Sequence, residues 1–232
     1  MTGPESPHSS QERLEMGMMV SLDQNLEAAQ HAVDAITNRF DKSGIQSTIV
    51  HRSSGKKLAY VRIHCPPTHW PALAKWLRFD LLANHCSMIT GTHFPEGPDD
   101  RGWEVVAHLM RMPAANPAPG TAIEFEASAL SGKEIPLEFE VCIALPKNDR
   151  PVCPSVQSIW VGADWNEKET WDLVGIEFEG HQAMMRVLNP HDTPSGFHPL
   201  QKQHKIRYHD FNEMYDDAQG FLRKPDDVGR VK

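Results

Sequence analysis

The sequence predicts an α+β fold: a mainly antiparallel sheet with helices on one face, then a helical signature segment and an extended C-terminal tail. Three observations predict it. Stretches with strand-like alternation recur five times, some joined by short polar turns. Two helical apolar patterns interleave with them, which favours helices stacked on a sheet. After Leu145 the periodicity is broken by Pro146, Pro151, Pro154, Pro190, Pro194 and Pro199.

The elements follow in order. Residues 1–18 read as a flexible lead. Leu22, Leu26, Ala29, Val33, Ile36 and Phe40 then recur at helical spacing, with Ser21 or Asp23 able to cap the start. Residues 46–51 and 58–65 read as two strands around the turn Ser53–Lys56, with Ala59, Val61 and Ile63 on the buried face. A second helix is expected from Trp70 to Asn84, with Pro71 tolerated in its first turn and Leu73, Trp76, Leu77, Phe79 and Leu81 on its apolar side. Strands are expected at 86–92, 103–111 and 136–145; between the last two lie a proline-rich loop and an inserted excursion over 113–135. The domain spans 19–145, a signature segment 146–199 packs on it, and a polar tail of seven basic and six acidic residues fills 200–232. Helices are expected at 159–175 and 181–189. The tail buries too little apolar surface to fold alone and reads as a partner-binding extension.

Composition narrows the function. The chain has 232 residues, 40% hydrophobic and 23% charged, enough for a core without covalent staples. A net charge of −8 argues against gripping nucleic acid. The longest apolar runs, such as Val141–Leu145, are strand-sized, so no membrane span is expected. Glu5 and Glu12 precede the first basic residue, Arg13, which matches neither a secretory leader nor a transit peptide. Cys65, Cys86, Cys142 and Cys153 contain no C-x-x-C pair and read as buried small hydrophobes in a reducing compartment. The glycines never form G-x-G-x-x-G, the P-loop spacings lack their Lys-Ser/Thr, and G-x-S-x-G and H-E-x-x-H are missing. No nucleotide or cluster of its own is expected.

The most informative stretch is Ser155–Leu188. Glu167, Glu169 and Asp172 place three carboxylates within six residues, Gly175 and Gly180 bracket an extended segment, and His181 and Arg186 follow. Carboxylates near a histidine can do acid–base work or hold a metal; a helix start whose acids meet the dipole and pair with arginine is the simpler reading. Glu169 and Asp172 fall on one helix face.

The run Glu167-Lys-Glu169-x-x-Asp172-Leu-Val-Gly175-Ile-x-Phe178-x-Gly180-His181 resembles the signature of the 30 kDa-type subunit of respiratory complex I, known as the C-type subunit and, in cyanobacteria and plastids, as the J-type. Pro151–Val156, Ala163-Asp-Trp165, Glu104–Leu109 and His198-Pro199-Leu200-x-Lys202 extend the likeness over about 85–200. Val174, Gln182, Met185, Gln201, Gln203 and His204 depart from the pattern, as in a divergent member. The resemblance implies a cofactor-free, non-catalytic subunit of the peripheral arm of an NADH:quinone oxidoreductase that supports electron transfer coupled to proton translocation. Its partners would be the large quinone-site subunit and the adjacent iron–sulfur subunit, with FMN, iron–sulfur clusters and quinone held by partners. It would sit on the cytoplasmic side of an inner or thylakoid-type membrane. Trp165, Glu167, Glu169, Trp171, Asp172, Gly175, Gly180, His181, Arg186, His198 and Pro199 would form the signature and its interface. Related hydrogenase and formate hydrogenlyase complexes carry similar subunits. Two readings of other classes are a histidine-rich metal module or hydrolase, built from His181, His191, His198, His204 and His209, and a free-standing binder of a basic partner.

Overall fold

The computed structural model describes residues 21–53, 57–96, 101–112 and 135–204. The expected lead, the 113–134 part of the loop and excursion, and the tail beyond 204 lie outside the described residues. The chain divides into a unit over Met1–Gln201 and a second over Lys202–Lys232, of which only a short turn is described.

Helix α1 (Leu22–Arg39) starts at a capping box in which Ser21 and Gln24 each take the other's backbone N–H. Its buried face is Asn25, Ala28, Ala29, Ala32 and Ile36, rotated from the expected stripe. Leu22 and Leu26 are 51% and 41% exposed. Asn25 enters instead because its amide closes both backbone groups of Ala59, at 2.7 and 3.2 Å. A buried polar group is tolerated when it is fully bonded.

Strands β1 (Gln46–His51) and β2 (Ala59–His64) form a hairpin. A 3₁₀ turn over Pro67–His69 leads into α2 (Trp70–Phe79), five residues shorter than expected. The chain turns back after it: Ala83 N–H bonds the Leu77 carbonyl, Leu82 takes φ +57°, and Phe79 is 67% exposed rather than packed. Strands β3 (His85–His93), β4 (Arg101–Arg111) and β5 (Leu137–Pro146) complete a five-stranded sheet in the order β1-β2-β5-β4-β3. All neighbours are antiparallel except β2 and β5, which run parallel.

Pleat alternation separates the two faces. Val61, Ile63, Val105, Ala107, Leu109, Phe139, Val141 and Ile143 are fully buried on the helix side. Tyr60, Arg62, His108, Glu138 and Glu140 carry the other side, where Arg62 Nε meets Glu140 at 2.7 Å and a cavity of about 420 Å³ opens. All four cysteines are free and buried, and burial pushes the thiols of Cys65, Cys86 and Cys142 up to about 12, so they behave as inert packing groups.

After Leu145, β6 (Val152–Pro154) and β7 (Glu177–Glu179) form a small parallel pair flanking helix α3 (Val161–Val174). Helix α3 lies against β3: the Thr170 hydroxyl donates to the Ile89 carbonyl at 3.0 Å. Gly91 makes the approach possible, since a Cβ there would lie 2.6 Å from Ile176. Trp160 donates its indole N–H to Ala83 at 2.8 Å and stacks near Trp70. The helix expected at 181–189 does not form; turns and bends take its place, for a reason that the carboxylate of Asp172 supplies.

Candidate functional site

Helix α3 carries two fully buried carboxylates, Glu167 and Asp172, with opposite surroundings. Asp172 sits in the last turn. Its Oδ2 accepts the backbone N–H groups of Val187, Leu188 and Asn189 at 3.0, 2.9 and 2.8 Å. Its Oδ1 accepts Arg186 Nη1 at 2.7 Å and Asn189 Nδ2 at 2.9 Å. These N–H groups would serve an α-helix over 181–189; given to a carboxylate, they fold the segment into a cradle. Burial opposes ionisation, but the bonds from Asn189, Leu188 and Arg186 outweigh it and hold the carboxyl well below the usual range.

Arg186 extends the hub. Its Nη2 donates to the carbonyls of Pro194 and Phe197, and its guanidinium lies 5.6 Å from the Trp171 ring centre. The returning chain then satisfies the orphan carbonyls that end any helix. His198 Nδ1 lies 3.0 Å from the Asp172 carbonyl and its ring stands edge-on to Trp171 at 6.0 Å. Leu200 N–H donates to Leu173 O, and Gln201 Nε2 to Val174 O, both at 2.9 Å. Gly175 caps the helix at φ +89°, where a Cβ would lie 2.8 Å from the His198 ring.

Glu167 lies near the middle of the same helix. It accepts the Ser155 hydroxyl at 2.6 Å and the Val156 N–H at 2.7 Å, fixing the entry into α3. Burial pushes its carboxyl up to about 7, against those two bonds. His181 is fully buried along its side chain, with Nε2 at 3.3 Å from Asp164 Oδ1 and 4.0 Å from Glu167 Oε2. Ala183 N–H donates to Nδ1, which assigns the proton of the neutral ring to Nε2, facing the Asp164 side. Lys168 closes the network with a 2.8 Å bond to Asp164.

The structure therefore brings Asp172, Trp171, Gly175, Arg186 and His198 into one cluster, with Pro199 on the returning chain. Glu167 and His181 form a second. Glu169 belongs to neither: it is half-buried, accepts the Trp165 indole N–H at 2.6 Å, and does not share a site with Asp172. Trp165 is 53% exposed. Gly180 holds φ +86° with open space around it. Ser155, Asp164, Lys168 and Asn189 complete the two networks; the first three fall inside the signature runs without being singled out by the sequence, and the Asn189-Pro190 turn signal is the one cue available for Asn189. Among the described residues, no group of three His, Cys, Asp or Glu side chains is placed to hold a metal. Ring nitrogens of His181 and His198 already meet chain partners, His191 is exposed, and His209 lies outside the described residues.

Comparison with known proteins agrees with the signature. Residues 63–210 match the family described as the respiratory-chain NADH dehydrogenase 30 kDa subunit. A protein of Acidothermus cellulolyticus, named as the C subunit of NADH-quinone oxidoreductase, is 34% identical over 131 residues, 56% of this chain and 53% of that one. One of Gluconacetobacter diazotrophicus, named as the C/D subunit of the same oxidoreductase, is 35% identical over 111 residues, 48% of this chain and 15% of that one. The chain thus spans about half of the first relative and far less of the second. Among solved structures, a chain of an archaeal membrane-bound sulfane sulfur reductase shares the fold, at TM-score 0.52 and 17% identity, covering 87% of this chain and 98% of that one.

Proposed function

The chain belongs to the family of the respiratory-chain NADH dehydrogenase 30 kDa subunit, and on that premise we propose that it is a structural, non-catalytic subunit of a complex I-type NADH:quinone oxidoreductase. In this reading it sits in the peripheral arm, on the cytoplasmic side of the membrane. It packs beside the large quinone-site subunit and the adjacent iron–sulfur subunit, with quinone, iron–sulfur clusters and FMN held by partner subunits. The name C/D, borne by one relative as a single chain, supports a D-type subunit as the immediate neighbour. No described helix is long and apolar enough to cross a membrane.

One observation carries the assignment of role. Glu167, Asp172 and Arg186 turn inward, onto groups of their own chain, while Met185, Leu188 and Leu200 near them turn outward. Met185, Leu188 and Leu200 are 52%, 54% and 50% exposed on the segment that Asp172 and Arg186 pin. Carboxylates saturated with internal bonds hold shape; fixed apolar groups rimmed by polar ones are what a partner covers. The tail over 200–232 is assigned to the same partner surface on its composition.

Trp165→Ala tests this in the native complex. The ring bonds only its own helix, so the isolated chain should keep its stability within about 0.5 kcal/mol. The yield of assembled complex should fall several-fold, with quinone reduction per assembled complex unchanged. Full assembly with abolished quinone reduction would place the chemistry in this chain instead.

A further inference from the structure

We draw no further inference here: the strongest candidate, the polar cavity on the outer face of the five-stranded sheet between Arg52, Tyr60, His108 and Glu138, carries nothing, because its charged groups already pair with one another across the strands and nothing in the structure shows what would fill it.

Discussion

Helix α3 holds the same chemical group at two places in the same degree of burial and treats it in opposite ways. At the C-terminal end, Asp172 is surrounded by donors and stays ionised. Near the middle, Glu167 has one hydroxyl and one amide for company, and burial lifts it towards neutrality. Burial alone therefore does not set the charge of a carboxylate; the number and aim of the donors decide it. The difference matches what each carboxylate does. The Asp172 end holds three successive backbone N–H groups and a guanidinium in place, a load that only a charge carries well. Glu167 closes a single strand-to-helix junction.

Breaking the stronger end should give the largest effect. Asp172→Ala leaves Arg186 and the amides of Val187, Leu188 and Asn189 without their acceptor, and should cost about 3–5 kcal/mol in urea unfolding. The pH dependence has a definite sign. The folded carboxyl lies below its unfolded value of about 3.9, so its stabilisation is full above that value and is lost as pH falls through the folded one. The gap between parent and variant should therefore narrow only in strong acid. A gap that closes near neutral pH would mean that Asp172 is not held ionised.

The next effect separates two glycines of like conformation. Gly175 and Gly180 both have left-handed φ, +89° and +86°. Alanine at 180 meets open space and should cost about 1 kcal/mol of backbone strain. Alanine at 175 adds a contact at 2.8 Å to the His198 ring, which the Asp172 carbonyl and Trp171 hold in place. Its cost should reach about 2–4 kcal/mol. Equal melting temperatures for the two variants would show that the returning chain yields freely at Gly175.

Legibility in the sequence followed the range of the interaction. The five sheet strands were readable within two residues because alternation is local, and Val61, Ile63, Phe139 and Val141 declare the buried face. The parallel pairing of β2 with β5 was not readable, since it joins residues more than seventy positions apart through a crossover. The three-residue strands β6 and β7 are too short to show a period. Residues 181–189 have helix-like composition, and only the side chain of Asp172, arriving from another element, diverts their N–H groups. Likewise Asn25 has the composition of a surface residue, and only the approach of Ala59 from another element buries it. The signature marked Glu167, Asp172 and Arg186 as a set, but their division into two clusters with opposite charge behaviour depends on depth, which spacing does not encode.

The smallest effect, and the sharpest one, lies at Glu167. Glutamine keeps an acceptor for Val156 N–H and offers N–H groups to the Ser155 hydroxyl, so below neutral pH it replaces a protonated carboxyl by a near equivalent. Glu167→Gln should cost under about 1 kcal/mol at pH 5. With rising pH the parent is penalised and the variant is not. The unfolded carboxyl ionises near 4.3, the folded one near 7, so the folded state holds an extra proton between those values and parent stability falls across that window. By pH 8 the variant should therefore have gained on the parent by up to about 3 kcal/mol, with no further change above. Urea unfolding of both proteins at pH 5 and pH 8 measures it. A difference that does not move between the two would mean that Ser155, Val156 and His181 solvate the Glu167 anion as well as water does, and the two carboxylates of α3 would then differ in donor count but not in charge.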